Sequence, residues 1–233
     1  MLILGIDTSG GQGSVALLQA NGGELLTLEV ETVAGGQYSE RLVPTIAGLL
    51  ERQGAAKGSL GLIGVASGPG SFTGLRVAIA VVKGLAEAFA TPVVAVSVLE
   101  AVALGSGMEG RVMAALDAQR AEVFFGEYVV DGARCAQMIR ESITSFTGFV
   151  ATLAGCDTQA AVCTPDEKIA ARLQEAGIVA PVMARPNAEA YARIAYSKFC
   201  AGIRADTSTL DANYLRRSDA EIFSAPKLGI RPA

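Results

Sequence analysis

Histidine is missing altogether from the 233 residues, and this absence excludes more chemistry than any motif present. Ser-His-Asp and Cys-His nucleophile pairs, an H-E-x-x-H protease helix and every histidine-ligated metal are ruled out together. The commonest general base near neutral pH goes with them. Cysteine is sparse. Cys135, Cys156, Cys163 and Cys200 form no C-x-x-C and no zinc spacing, so they read as buried thiols in a reducing cytoplasm. Charged residues make up 18% of the chain, against about 25% in an average globular domain. That shortfall fits either a large core or an apolar face covered by another protein. The net charge is −4 and the only adjacent basic pair is Arg216-Arg217, which is no field for a strong independent grip on nucleic acid. No apolar run approaches 18 residues, and Met1-Leu2-Ile3-Leu4 enters a strand with no basic segment before it. The expectation is a cytoplasmic protein with neither signal peptide nor membrane span.

What is present centres on Gly68-Pro69-Gly70-Ser71-Phe72-Thr73-Gly74-Leu75-Arg76. An apolar strand at 62–66 precedes it and a mostly apolar helix at 75–89 follows. Strand, glycine-rich turn and helix together present backbone N–H groups and a positive helix end to an anion. The plainer reading is a tight turn with Ser71 or Thr73 capping the helix. No Lys-Ser/Thr follows the last glycine, so this is not a Walker A loop, and the G-x-G-x-x-x-G spacing is not a dinucleotide fingerprint.

The periodicity describes one unit written twice. Residues 2–7 form an apolar strand ending in Asp7. A strand at 14–18, a turn at Asn21-Gly22-Gly23 and a strand at 24–33 follow. Next comes a helix capped by Ser39, with Leu42, Val43, Ile46, Leu49 and Leu50 on one stripe. The strand at 62–66, the helix at 75–89, a strand at 93–96 and a helix opened by the capping box Ser97-Val98-Leu99-Glu100 complete the unit. The second half repeats this order: strands at 112–117 (ending in Asp117), 122–130 and 133–143, then a helix at 145–153. A strand at 160–164, a helix at 165–176, a strand at 179–183 and a helix at 187–203 close it. Asp7 precedes the turn residue Asn21 by 14 positions, and Asp117 precedes Asp131 by the same 14. The expected fold is therefore α/β, two tandem duplicated domains with mixed sheets flanked by helices. The boundary is expected near Gly105–Gly110, giving units 1–104 and 105–233 and a cleft between them, the last segment packing back on the first.

Seven segments in order carry a resemblance to a known family. They are Ile3-Leu4-Gly5-Ile6-Asp7-Thr8-Ser9 with Ser14-Val15-Ala16-Leu17, Leu42-Val43-Pro44, the Gly68–Arg76 loop, and Lys83-Gly84-Leu85-Ala86. Val96-Ser97-Val98-Leu99-Glu100-Ala101, Asp117-Ala118-Gln119-Arg120-Ala121-Glu122-Val123, and Tyr214-Leu215-Arg216 with Asp219-Ala220-Glu221 complete the set. The chain resembles the TsaB family, non-catalytic subunits of the bacterial machinery that makes threonylcarbamoyladenosine in tRNA, within the actin/sugar-kinase/Hsp70 (ASKHA) superfamily. It departs from the family in carrying Tyr38 where His is frequent.

The resemblance implies a pseudoenzyme that forms a heterodimer with TsaD, acts with the ATPase TsaE and meets tRNA only through the complex, with no cofactor and no membrane. TsaD transfers the threonylcarbamoyl group to adenosine beside the anticodon. Asp7, Thr8 and Ser9, with Gly68, Gly70, Ser71, Thr73 and Gly74, would be vestigial phosphate loops, because the second-half glycine pair of a working kinase is missing. A structural role for Asp7 and Asp117 as turn-capping acids stays open beside this. The partner-binding face would combine the first helix and the 75–89 helix, with Leu42, Ile46, Leu49, Val77, Val81 and Leu85 as its aliphatic centre. The alternatives are burial of these helices within the monomer and use of the same patch for a homodimer. For function, the competing reading is an active small-molecule kinase or ATPase with Asp7 on Mg²⁺.

Overall fold

The computed structural model describes residues 1–132, 135–155, 160–213 and 215. Among these residues nine strands fall into two sheets, five in the order β3-β2-β1-β4-β5 and four in the order β8-β7-β6-β9. In chain order the first half runs β1 (Leu2–Asp7), β2 (Gln12–Asn21), β3 (Glu24–Ala34), α1 (Tyr38–Arg52), β4 (Leu60–Gly68), α2 (Phe72–Phe89), β5 (Val93–Ser97) and α3 (Val98–Gly105). The second runs β6 (Gly110–Gln119), β7 (Glu122–Asp131), β8 (Cys135–Ser145), α4 (Phe146–Ala154), β9 (Ala161–Cys163), α5 (Glu167–Glu175) and α6 (Ala188–Cys200). In both sheets the first three strands are antiparallel and the next joins the first in parallel. That shared topology is the mixed-sheet α/β duplication expected from the strand order.

Five layers result. One face of the first sheet packs Leu4, Ile6, Ile63 and Val65 against Leu42, Ile46 and Leu49 of α1 and Leu75, Ala78 and Val82 of α2. The outer face of the second sheet packs Met113, Ala115 and Phe125 against Phe149 of α4 and Ile169 and Leu173 of α5. Between the sheets lies a shared core of Ile3, Leu62, Val112, Ala114 and Tyr128 with residues of α3 and α6. Here the two halves exchange helices: α3, from the first half, lies mainly on β6, β7 and β8, whereas α6, from the second, lies on β1, β4 and β2.

The sequence supports so close a helix approach. A β-carbon on Gly5 would sit 2.1 Å from the Ala188 carbonyl oxygen, and one on Gly64 would sit 2.6 Å from the Ala195 β-carbon. Glycines in the sheet and alanines on the facing helix stripe bring α6 down onto the strands, where a larger pair would hold it off. Asn187 fixes the start of α6, its side chain accepting from the N–H groups of Glu189 and Ala190.

Several boundaries differ from expectation for identifiable reasons. Helix α1 begins at Tyr38 with Gln37 at the cap position and no side-chain bond there, so Ser39 lies inside the helix. Ser97 does cap α3, accepting from Leu99 N–H, but Glu100 does not reach back to close the box; it pairs with Lys198 on α6 at 2.5 Å. The strand expected at 179–183 reduces to one bridge, Thr164 to Val182. Pro181 lies inside that run, and a proline has no N–H to donate to a ladder. Cys156, Tyr214, Arg216 and the Asp219-Ala220-Glu221 motif lie outside the described residues.

Candidate functional site

Where the strands of both sheets end, a cleft of about 1130 Å³ opens. Ser9, Gly10 and Gly11 line it from the β1–β2 loop, and residues 69–75 from the glycine-rich turn and first turn of α2. Residues 116–120, Asp166 and Arg185 line it from the second half. The two motifs found in the sequence thus meet in one place.

They meet closely enough to account for two of the glycines. A β-carbon on Gly70 would lie 2.4 Å from the Ser9 carbonyl oxygen, and one on Gly74 would lie 2.1 Å from that of Thr8. Ser71 N–H donates to the Ser9 carbonyl at 2.8 Å, and the Thr8 hydroxyl donates to the Gly74 carbonyl at 2.8 Å. Gly70 and Gly74 therefore serve backbone-to-backbone packing of the two loops. Gly68 has φ +114°, a conformation open chiefly to glycine. Ser71 is the helix cap, its hydroxyl accepting from Gly74 N–H at 3.2 Å. Thr73 sits within the first turn, on the cleft.

Asp7 is buried, only 3% exposed. Its Oδ1 accepts from Ser9 N–H at 2.8 Å. Burial raises its pKa above the ordinary carboxylate value, opposed by the Ser9 bonds and the Arg185 charge. Asp117 has the same local geometry, accepting from Gln119 N–H at 2.7 Å, but is exposed. The duplication thus extends to the turn chemistry, and the two acids differ in burial.

Around Asp7 the structure places Tyr38, noted in the sequence only as a departure from the family, and adds Tyr191 and Arg185, which the sequence did not single out. Tyr38 donates to the Gly10 carbonyl at 2.7 Å. β-carbons on Gly13 and Gly74 would lie 2.7 Å and 3.1 Å from its ring carbons. Burial, with the Asp7 charge, raises its phenol above the ordinary value. Tyr191 of α6 is wholly buried; among the described residues neither its hydroxyl nor that of Ser9 has a partner in hydrogen-bond geometry. Arg185 approaches Gly10 and stands 3.8 Å from Asp166, which accepts from Asp117 N–H at 2.7 Å. The signals that could have located this neighbourhood are Asn187 at a helix start and the alanines at 188, 190, 192 and 195 around Tyr191. No group of three or more metal-binding side chains occurs among the described residues.

The partner residues require a correction. Leu42, Ile46 and Leu49 are at most 3% exposed and pack on the first sheet, so they are monomer core. Val77, Val81 and Leu85 are half-buried at the edge of that core. The outward face of the α1–α2 pair carries Val43 (53% exposed) and Phe72 (44% exposed), with Ala80, Gly84 and Ala88. The Arg76 guanidinium lies 3.8 Å over the Phe72 ring.

Residues 30–222 match the family model described as TsaD: tRNA N6-adenosine threonylcarbamoyltransferase. The chain belongs to the TsaD family. Within it, the chain is similar to proteins named tRNA threonylcarbamoyladenosine biosynthesis protein TsaB. The Bacillus subtilis strain 168 protein is 34% identical over 140 residues, 60% of either chain. The Escherichia coli K12 protein is 34% identical over 134 residues, 56% of either. The matches thus span about 60% or less of the length of these relatives. A Pseudomonas aeruginosa crystal structure, described as an uncharacterized protein with similarity to peptidase YEAZ, superposes with TM-score 0.75 and 28% identity. That superposition covers 92% of this chain and 99% of the other. A second structure, YeaZ from the same organism, gives TM-score 0.72 at 28% identity, covering 91% and 100%. These likenesses support the TsaB type within the family, and the chain shares the fold of both Pseudomonas aeruginosa structures.

Proposed function

We propose that this protein is a non-catalytic subunit that pairs with TsaD in the cytoplasm. It is required there for threonylcarbamoyl transfer to the adenosine beside the anticodon of tRNA, with TsaE as the associated ATPase. The observation that carries the reading is the outward face of α1 and α2. Val43, Val77, Ala80, Val81, Gly84 and Ala88 form an apolar, small-residue stripe on adjacent helices, in a chain poor in charge. Small residues at three- and four-residue spacing let a partner helix approach closely, and buried aliphatics at its centre would supply the affinity. The lack of histidine throughout the sequence removes the metal-binding pair expected of the catalytic relative. The loop glycines are accounted for by contact with Thr8 and Ser9, which supports reading those loops as inherited architecture.

The test is threonylcarbamoyl transfer to tRNA by reconstituted TsaD, TsaE and the adenylate synthase, with and without this chain. Strict dependence is expected; full activity in its absence would overturn the proposal. The cleft favours a second reading, a small-molecule kinase or ATPase, because both loop motifs line it together. Calorimetry with ATP and Mg²⁺ separates the two: micromolar affinity supports the kinase, and millimolar or undetectable binding supports the subunit.

A further inference from the structure

Beyond α6 the chain does not remain on the sheet face that helix covers. Ala205 N–H donates to the Val93 carbonyl at 2.8 Å, beside the edge strand β5. Leu210 and Ala212 then lie buried in the core on the opposite, α1–α2 face of the sheet. Asn213 returns to the cleft: its N–H donates to the Ser67 carbonyl at 2.7 Å and its side-chain amide to Glu141 Oε2 at 2.6 Å. Leu215 packs against the core shared by both sheets. The segment passes around an open sheet edge and ends between the halves.

Its end point is a convergence of donors. Glu141 of β8 accepts from the Ser97 hydroxyl at the β5–α3 junction, from the Tyr128 hydroxyl of β7 and from Asn213. All three donors are neutral. Burial and the adjacent Glu141 charge raise the Tyr128 phenol far above its ordinary value, keeping it a donor. Ser67 and Gly68 are the last residues of β4 before the glycine-rich turn, and a β-carbon on Gly68 would meet the Asn213 carbonyl at 3.0 Å. Asn213 and Leu215 also line both the large cleft and a second cavity of about 410 Å³ with Glu141, Glu100 and Lys198 on its wall.

We infer that residues 205–213, with Leu215, form a strap that fixes the glycine-rich turn of the first half to β8 of the second. In it, Glu141 is the positioning residue that holds the strap closed. Because the strap forms a wall common to both cavities, its attachment sets how tightly the cleft is held, whether or not a partner covers α1 and α2. The helix exchange joins the halves between the sheets; the strap joins them at the strand ends, beside the site.

Hydrogen exchange read by mass spectrometry on the full chain tests this. In Asn213→Ala, which removes one side-chain bond, peptides covering 66–76 should exchange about tenfold faster, with β1 and β6 unchanged. Glu141→Ala should reproduce the pattern. Arg140→Ala alters the neighbouring β8 residue, which pairs with Glu127, and should leave 66–76 alone. Unchanged exchange at 66–76 in Asn213→Ala would overturn the strap, as would equal acceleration in Arg140→Ala. If Glu141→Ala does not fold, Asn213→Ala and the Arg140→Ala control decide.

Discussion

Gly70 and Ser9 are separated by 61 positions in sequence, yet a β-carbon on Gly70 would lie 2.4 Å from the Ser9 carbonyl oxygen. That contact makes one unit of the loop after β1 and the turn before α2. The obstacle is backbone, held by the Ser71 N–H bond to the same oxygen, so it cannot swing aside as a side chain would. Gly70→Ala should therefore cost about 1–3 kcal/mol, the usual penalty of forcing a methyl into a packed site. Denaturant unfolding checks it. A midpoint equal to wild type would show that the two loops separate freely.

Asp7 gives a pH prediction with a definite sign. Its folded-state pKa is raised above 3.8, principally by burial. Between 3.8 and the folded value the native state holds more protons at Asp7 than the unfolded state. Stability from this group is therefore present at low pH and lost as pH rises through that window. Asp7→Asn keeps an acceptor for Ser9 N–H and removes the buried charge. Its melting temperature should exceed wild type at pH 7, with the advantage shrinking toward pH 4. A variant less stable than wild type at pH 7 would mean that the ionised carboxylate is held by the fold.

The parts legible in the sequence were those set by local chemistry. Asp7 and Asp117 were visible as strand-end acids, and each caps the turn two residues on. Ser71, Ser97, Ser145 and Asn187 stand at helix starts and accept backbone N–H bonds there. The facing of α1 was not legible as a binding face. Leu42, Ile46 and Leu49 form the strongest stripe by period, and the strongest stripe belongs to the core. A helix with one side buried can offer a partner only its weaker stripe, so the proposed docking face is Val43 with small residues of α2. The exchange of α3 and α6 was not legible either, because nothing local to a helix names the sheet it will cover.

That exchange carries a prediction about the proposed units 1–104 and 105–233. Without α6, the inner face of the first sheet, including Ile3, Leu62 and Ala66, loses its cover. Without α3, the second sheet loses the helix over β6, β7 and β8. Each fragment expressed alone should be insoluble or molten, while co-expression should yield a soluble pair that co-purifies. A fragment 1–104 with a sharp, cooperative melt would show that the first half completes its own core.

Gly84 offers the cleanest separation of partner binding from folding. It lies on the exposed face of α2, and a β-carbon there would meet nothing within 4 Å. Gly84→Arg therefore clashes with nothing in the monomer, and replacing a mid-helix glycine should raise stability by up to about 1 kcal/mol. On a face where a partner helix packs closely, the same side chain brings bulk and an unpaired charge into the contact. The expected result is a monomer melting at or above wild type with TsaD affinity reduced at least about a hundredfold, near 2.7 kcal/mol. Val43→Asp, also exposed, should do the same from α1. If both variants bind TsaD as wild type does, the α1–α2 face is not the docking surface. Loss of binding with the melt preserved would place the partner on the helices that the first sheet leaves half uncovered.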